Sequence, residues 1–360
     1  MNNLIAKIGK GQRGSKDLTW DEAREAAASM IEGRATPFQI GAFLMAMRIK
    51  MEAVTELAAF AITARKYVAP LSLPENLMVV DLPIYGEKHE TFHVSIAAAI
   101  VAAAGESYML MHGVENTAVK SDVGRILATL GIPADQSPQD VTEQLTQLHF
   151  AYLDLAIYHP PLARLLDLRL ELGVQGLFHP VARMLNPARA QSQVIGVSHP
   201  PYVEKIAEAV SMMNDQRLLI LQGVEGYPEL SISTPTTMRE LRAGRISPVN
   251  MKPKDVGLNL GGFRDMSAPM ATDDQSAIQQ EAHLILGILT NHIQGGQQDW
   301  TVFNAGMLLY AGGKVPSIGE GVTLAQQLIR SGAAASKLQA LTHAPKSPPP
   351  ASFAKDEVHA

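Results

Sequence analysis

The chain has 360 residues, of which 46% are hydrophobic and 18% are charged, and it contains no cysteine. This composition excludes a disordered or collagen-like chain, and the lack of cysteine excludes disulfides, thiol nucleophiles and Cys-ligated metal sites. The length suits about two domains of ~150 residues each. No apolar run reaches ~18 residues, and residues 1–7 lack an apolar signal core, so we expect a cytoplasmic protein with no membrane partner.

The formal net charge of −5 argues against a generally basic nucleic-acid-binding protein, but the charge is unevenly spread. Residues 1–70 hold 10 Lys and Arg against 7 Asp and Glu, whereas the rest of the chain holds 20 against 28. Four cations and no acid lie in residues 1–16: Lys7, Lys10, Arg13 and Lys16. Glycines alternate with them and let a backbone approach an anion, so this stretch is a candidate nucleic-acid site. The alternative is a solvated loop.

Residues 1–70 have the pattern of a small helical domain. Thr19 and Glu22 form a capping box that opens a helix ending near Gly33. Thr36 and Pro37 open a second helix, with proline at its first helical position, and a third covers about 52–67. The basic stretch before them is predicted to be a helix end followed by a flexible loop.

From about residue 75 the pattern changes to alternating strands and helices. Short apolar runs predict buried strands at 77–81, 108–111, 150–153, 193–197 and 217–221. Helices are predicted at 92–104, 118–130, 159–172, 201–213, 274–293, 299–313 and 320–338. The alternation predicts an α/β domain over 75–341, with a mostly parallel sheet covered by helices. The Gly- and Pro-rich segment 244–273 is predicted to be a surface excursion, and 342–360 a disordered tail.

Two constellations follow predicted strands, where parallel sheets bind their ligands. His112 and Gly113, with Lys120 in the next helix, could hold an anion, or could form an ordinary strand-to-helix turn. Glu225 and Glu229 follow a later strand, and they could hold Mg²⁺ or lie in a solvated loop.

Two further patterns involve histidines. His89 to His93 matches H-E-x-x-H of zinc proteases, which requires both histidines on one helical face. Thr91 is predicted to cap the next helix and leave His89 outside it, so a zinc protease is not favoured. His159 opens a helix in which Arg169 could clamp a carboxylate bidentately, or form a pair in solvent.

Taken in chain order, these segments resemble the anthranilate phosphoribosyltransferase family, glycosyltransferase family 3, over about residues 3–340. The resemblance implies a helical domain over 1–70 that also includes the helix near 159–172, a larger α/β domain, and a homodimer joined through the helical domains. Members of the family transfer phosphoribose from phosphoribosyl pyrophosphate to anthranilate, using Mg²⁺.

The positions that match the family's pyrophosphate and metal side are mostly changed. The family loop D-x-x-G-T-G-G-D falls on residues 81–88 (DLPIYGEK), and its D-E metal pair falls on 228–229 (PE). The K-H-G-N motif has lost its Lys, although Lys120 matches a Lys of the next motif. On the acceptor side, His159 and Arg169 match the residues that hold anthranilate, whereas R-T-x-F-N reads QGLFH at 175–179.

The resemblance therefore implies ligand-binding roles for a set of matching residues. They are Asp81, Gly86, Ser95, His112, Gly113, Lys120, His159 and Arg169, with Glu229 as a candidate metal ligand. Segments 7–11 (KIGKG), 47–50 (MRIK) and 197–202 (VSHPPY) resemble the divergent second-type branch of the family. Some members of that branch bind nucleic acid as dimers and lack the transferase activity.

We predict a non-enzymatic or altered-activity homologue that binds an anionic ligand, such as single-stranded nucleic acid or a nucleotide. The alternative is an active glycosyl or phosphoribosyl transferase, which would use Mg²⁺. We also expect a homodimer, because a bundle of ~70 residues cannot easily bury all of its apolar side chains. The residues in question are Ala26, Ile31, Phe38, Ile40, Phe43, Leu44 and Met47.

Overall fold

The computed structural model describes residues 1–11, 13–86, 88–114 and 122–344. The chain begins with four helices: α1 (Asn2–Ile8), α2 (Trp20–Ile31), α3 (Pro37–Lys50) and α4 (Val54–Ala64). The predicted capping box is present, since Thr19 N donates to Glu22 Oε2 at 2.7 Å and Glu22 N donates to Thr19 Oγ1 at 3.3 Å. Pro37 opens α3 as predicted. The predicted helix end near the N-terminus is a two-turn helix of its own, α1.

Strands and helices alternate through the rest of the chain. The elements up to the fifth strand are β1 (Val79–Ile84), α5 (Val94–Ala104), β2 (Tyr108–Gly113), α6 (Val123–Thr129), α7 (Pro138–Leu148), β3 (Phe150–Asp154), α8 (Leu155–Tyr158), α9 (Pro160–Leu172), α10 (Phe178–Arg183), β4 (Ser192–Val197), α11 (Pro201–Met212) and β5 (Arg217–Gln222). The remaining elements are β6 (Thr236–Arg242), β7 (Arg245–Met251), α12 (Asp274–Leu289), α13 (Gly296–Ala311), α14 (Ile318–Arg330) and α15 (Ala333–Thr342).

The strands form one seven-stranded sheet in the order β3-β2-β1-β4-β5-β6-β7. The first five strands pair in parallel, and β6 and β7 are antiparallel. This confirms the predicted mostly parallel sheet. From β1 the chain builds the sheet outward through β2 and β3, then returns to place β4 on the other side of β1. The carboxyl ends of β1 and β4 therefore lie at a topological switch point, where ligands of such sheets bind.

The helical bundle and one face of the sheet share a hydrophobic core. Leu110 of β2 packs with residues of the bundle, whereas its neighbours Met109 and Met111 pack into a second core under α5 and α13. Helix α4 packs against α10 and α11, and α9 packs against α2. The division of the chain into domains at about residue 70 stays a prediction. None of the described helices is both long and apolar enough to cross a membrane.

Several element predictions were wrong. The segment 244–273 is not only a surface excursion, because β7 forms a hairpin with β6, which was not predicted. Ala243 and Gly244 at its turn both have positive φ, as a tight two-residue hairpin turn requires. The predicted helix 320–338 is two helices separated by Gly332, and α7 and α10 were missed. Residues 118–121 of one predicted helix and 345–360 of the predicted tail lie outside the described residues.

Candidate ligand site at the carboxyl ends of the central strands

A tight loop after β5 brings two glutamates to the switch point. A Cβ on Gly196 would lie 2.1 Å from the Tyr227 carbonyl carbon, and one on Gly223 would lie 1.6 Å from the Tyr227 oxygen. Both positions therefore require glycine for the loop 223–229 to fold back over the end of β4. The loop directs Glu225 and Glu229 toward the segment that follows β1.

Glu225 binds a row of backbone N–H groups. Its carboxylate accepts hydrogen bonds from the backbone N of His89 at 2.8 Å, Glu90 at 3.1 Å and Thr91 at 3.0 Å, and from Thr91 Oγ1 at 2.5 Å. Successive N–H groups that converge in this way form an anion-binding concavity. Burial acts to raise the pKa of Glu225, but the hydrogen bonds from Thr91, His89 and Glu90 outweigh it, and the pKa is lowered. The carboxylate of the chain itself thus occupies this anion site.

Glu229 forms a buried ion pair with Lys88. The Lys88 Nζ lies 2.5 Å from Glu229 Oε2, and both side chains are fully buried. Lys88 also donates to the Phe92 carbonyl at 2.5 Å, and its ammonium lies 5.0 Å from the ring centre of Trp300. The second oxygen, Glu229 Oε1, accepts from Ser95 Oγ at 2.9 Å and from Ser95 N at 3.2 Å. Both oxygens of Glu229 are therefore engaged within the protein.

Asp81 and His112 lie in a buried polar cluster with two tyrosines. The His112 Nε2 is 3.1 Å from Asp81 Oδ1, while its Nδ1 is 2.9 Å from the hydroxyls of both Tyr85 and Tyr158. The two hydroxyls are 2.7 Å apart. Burial raises the pKa of Tyr85 and of Tyr158 well above the usual value, so both stay protonated. Within the described part of the chain, neither Asp81 oxygen has hydrogen-bond geometry to a partner.

The structure brings together some of the predicted ligand residues. All four of the following are buried: Asp81 lies beside His112, and Ser95 is hydrogen-bonded to Glu229. His112 and Gly113 were predicted to follow a strand, but they lie within β2 because the pairing with β1 continues to Gly113. Gly86 follows β1 with a φ of 146°. Lys120 lies outside the described residues.

The acceptor-side residues have contacts of their own. His159 is fully buried and caps α9, because its Nδ1 accepts from Leu162 N at 3.2 Å and its Nε2 lies 3.1 Å from the Ala64 carbonyl. Arg169 is half-buried in the last turn of α9. The ligand-binding roles of these two residues, like those of the buried cluster, stay predictions.

The basic N-terminal stretch lies on the helical bundle. Lys7, in the last turn of α1, forms an ion pair with Glu22 at 2.5 Å. Lys10, Arg13 and Lys16 are exposed on the connection to α2. Three of the four cations are therefore exposed, whereas Lys7 is half-buried and paired.

The H-E-x-x-H pattern does not form a zinc site. Helix α5 begins at Val94, so His89 and His93 do not share a helical face. Thr91 does not cap this helix as predicted, because it bridges to Ser267 as extended backbone. The His93 ring instead places its Nδ1 2.7 Å from Glu281 Oε1. Within the described ranges no group of three His, Cys, Asp or Glu side chains could hold a metal ion.

Sequence reasoning missed two cations near this site. Lys88 was noticed only as a departure from a family motif, and its partner Glu229 lies 141 residues away. Arg183 in α10 is buried with 8% exposure and was not singled out at all. The available signal was a lone cation within the otherwise apolar run 180–185.

Comparisons with known proteins agree with this architecture. Residues 2–67 match the helical bundle domain of a glycosyl transferase family, and residues 85–335 match its a/b domain. The chain is 30% identical over 323 residues to an anthranilate phosphoribosyltransferase of Laribacter hongkongensis, covering 89% of this chain and 92% of that protein. The anthranilate phosphoribosyltransferase of Moorella thermoacetica is 31% identical over 337 residues, which cover 94% of this chain and 96% of that protein.

Solved structures give the same result. The anthranilate phosphoribosyltransferase of Thermus thermophilus superimposes with a TM-score of 0.81 at 27% identity, covering 94% of this chain and 98% of that one. The Saccharomyces cerevisiae enzyme in complex with PRPP and Mg, at 19% identity and a TM-score of 0.79, shares the fold over 95% and 96% of the two chains. The predicted resemblance and fold are confirmed: the chain belongs to the glycosyl transferase family that contains the anthranilate phosphoribosyltransferases.

Proposed function

We propose that this family member binds an anionic ligand and does not carry out Mg²⁺-dependent transfer of phosphoribose to anthranilate. The observation that supports this proposal is the buried ion pair between Lys88 and Glu229. In the sequence resemblance, Lys88 stands where the family's pyrophosphate loop ends in Asp, and Glu229 stands at the Glu of the metal pair.

The ion pair leaves no room for Mg²⁺ beside Glu229. A Mg²⁺ ion would need to lie about 2.0–2.1 Å from a carboxylate oxygen, and the Lys88 ammonium lies 2.5 Å from Glu229 Oε2. A Mg²⁺ ion and the Lys88 ammonium bound to the same carboxylate oxygen would repel each other strongly in a buried site. Pro228, at the other position of the metal pair, has no side-chain oxygen. The residues present therefore do not fit a Mg²⁺ ion.

The pyrophosphate side is similarly occupied. The Glu225 carboxylate already accepts from the N–H groups of residues 89–91, directly after the segment that matches the pyrophosphate loop. A phosphate at these donors would have to displace Glu225 or meet its negative charge.

We expect no transfer of phosphoribose to anthranilate above background. Losing one preorganised electrostatic element costs about 10²–10³ in rate, and here the metal site and the phosphate donors are both changed. The measurement is the loss of anthranilate fluorescence with phosphoribosyl pyrophosphate and Mg²⁺, and the Thermus thermophilus enzyme serves as positive control. Turnover within about tenfold of the control would refute the proposal.

An active transferase is the second candidate. It is favoured by the 30–31% identity to anthranilate phosphoribosyltransferases over most of the chain. If it is correct, phosphoribosyl pyrophosphate with Mg²⁺ should raise the melting temperature, whereas neither compound alone should do so.

Nucleic acid is the anionic ligand that we propose for the basic surface of Lys10, Arg13 and Lys16. Lys7 contributes less because Glu22 neutralises it.

A homodimer through the helical bundle, which would bring two such surfaces together, is also a proposal. Five of the seven apolar residues that were expected to exceed what the bundle alone can bury lie in the chain's own core: Ala26, Ile31, Phe43, Leu44 and Met47. Phe38, which is 92% exposed, remains available.

A short single-stranded oligonucleotide should bind weakly, with little sequence preference and with strong salt dependence. Neutralising ~4 phosphates corresponds to a log–log salt slope of about −3. In fluorescence anisotropy, changing Lys10, Arg13 and Lys16 together to Ala should abolish binding. A matched control changes three exposed cations elsewhere, Arg242, Arg245 and Lys254, and should retain it. Equal loss in both triple variants would exclude the N-terminal surface as the site.

A further inference from the structure

A separate cavity lies at the amino-terminal edge of the sheet, at the opposite ends of the strands from the candidate ligand site. Its volume is about 640 Å³, and it is lined by residues of segments 62–71, 185–191 and 214–216, of which the last two directly precede β4 and β5. Both strands have six residues, so this edge lies roughly 17 Å from their carboxyl ends. None of the residues assigned above to ligand binding is among the described residues that line it.

The cavity has one carboxylate among its described lining residues, and that carboxylate is neutralised. Asp215 accepts from Arg65 Nη1 at 2.8 Å and from Arg65 Nη2 at 2.6 Å, which is the bidentate geometry of a strong ion pair. Its Oδ2 also accepts from Gln193 Nε2 at 2.7 Å, and Arg65 Nε donates to the Met184 carbonyl at 2.9 Å. Arg65 and Asp215 together therefore add no net charge to the lining.

Two other cations line the cavity without a counter-ion. Lys66 and Arg189 are both exposed, and neither forms an ion pair with another residue of the described ranges. Because Asp215 is already neutralised, the lining carries two uncompensated positive charges. A cleft lined by charges of one sign attracts ligands of the opposite charge.

A closed turn fixes the backbone that carries Arg189. Asn186 and Arg189 have φ of 45° and 49°, a left-handed conformation that residues other than glycine rarely adopt. Arg189 N donates to the Asn186 carbonyl at 3.0 Å. The Asn186 side chain, which is buried, binds Ala190 twice: Nδ2 donates to its carbonyl at 3.0 Å, and Oδ1 accepts from its N at 2.7 Å. These bonds hold Arg189 at the cavity.

We propose that this cavity binds a small phosphate monoester that carries an apolar group. A phosphate monoester has a charge of about −1.5 to −2 at pH 7 and can balance both Lys66 and Arg189, whereas a single carboxylate would balance only one of them. The volume falls in the range of small-molecule sites, about 300–1,000 Å³. The apolar group would pack against apolar side chains of the lining: Ile62, Val68, Pro70, Leu71 and Pro187.

This inference goes beyond the proposed function and does not depend on it. The cavity shares no described lining residue with the loop 223–229 or with the segment that matches the pyrophosphate loop. Segment 62–71 belongs to the end of the bundle, whereas segments 185–191 and 214–216 lead into the sheet. A bound ligand would therefore contact both parts of the chain.

The test is calorimetric titration of the full chain with hexyl phosphate, hexanoate and inorganic phosphate, each up to about 10 mM, well above a millimolar Kd. We expect hexyl phosphate to bind at one site per chain and more tightly than either other probe. Changing Lys66 and Arg189 together to Met should weaken that binding at least ~10-fold, as expected for lost hydrogen bonds to a charged group. The matched control changes Arg164 and Lys254, two exposed cations that do not line the cavity, and should bind normally.

The three probes separate the charge of the ligand from its apolar contacts. Hexanoate that binds as tightly as hexyl phosphate would contradict a site for a dianion, and inorganic phosphate that binds as tightly would contradict the apolar contacts. Absence of hexyl phosphate binding would overturn the proposal, as would equal binding by the cavity variant and the parent protein. Lys66 and Arg189 are exposed, so circular dichroism should show that their variant is folded. The transferase assay is unaffected by these outcomes, so each proposal can fail independently of the other.

Discussion

Replacing Lys88 with methionine should destabilise the folded protein by about 3–5 kcal/mol, the usual cost of removing one partner from a buried ion pair. The loss arises because the Glu229 carboxylate is left charged and fully buried, with only Ser95 donating to it. Urea unfolding followed by circular dichroism at pH 7 measures the free energy of unfolding directly.

The matched control removes both charges. In the double variant Lys88→Met, Glu229→Gln, the glutamine can still accept from Ser95 but carries no charge to desolvate. We expect the double variant to recover most of the stability lost in the single variant, since uncharged replacements of buried ion pairs are often close to neutral. A single variant that loses less than about 1 kcal/mol, or a double variant that is less stable than the single one, would refute the buried-pair description.

Acidification from pH 7 to pH 4 should cost up to about 3 kcal/mol through His159 alone. Burial lowers the pKa of His159 to about 4, from an ordinary value of 6.5. The unfolded chain takes up the proton below pH 6.5, whereas the folded protein does so only near pH 4. The contribution is therefore fully present above pH 6.5 and is lost progressively as the pH falls to 4. The cause of the lowered pKa is burial, which disfavours the charged imidazolium. Protonation of Nδ1 would in addition remove the hydrogen bond that it accepts from Leu162 N.

Urea midpoints at pH 7, 5.5 and 4.5 measure this dependence. His159→Asn is the comparison, because asparagine also caps helices but does not titrate. We expect the variant to lose clearly less stability between pH 7 and pH 4.5 than the parent protein. Because Glu225 and other carboxylates titrate in both proteins, only the difference between the two slopes reports on His159. Parallel slopes would show that His159 is not the acid-sensitive group.

The sequence predicted the five parallel strands because each is a short run of buried apolar residues between helices. It did not predict β6 and β7, which lie at the antiparallel end of the sheet. Strand β7 contains Pro248 and alternates partly buried with exposed residues, so its composition resembles that of a loop. Helix α10 was missed because it has only six residues, too few to show a helical period.

For the site, the sequence identified Asp81 and Glu229 but not what they contact. The partner of Glu229 is set by the fold of the loop 223–229, which depends on close backbone packing at Gly196 and Gly223. Such a long-range contact leaves no pattern in a single sequence. Arg183 was missed for a related reason, since its burial becomes evident only when α10 is placed against the ends of β1 and β4.

Whether the Lys88 ammonium takes the place of a divalent cation can be measured most directly with Mn²⁺ as a paramagnetic probe. The protein is titrated with Mn²⁺ in the presence of phosphoribosyl pyrophosphate, and free Mn²⁺ is followed by electron paramagnetic resonance against a protein-free titration with the same compound. We predict that the two titrations coincide. A stoichiometric Mn²⁺ site that appears only with protein, and that disappears in Glu229→Gln, would contradict this structural assignment.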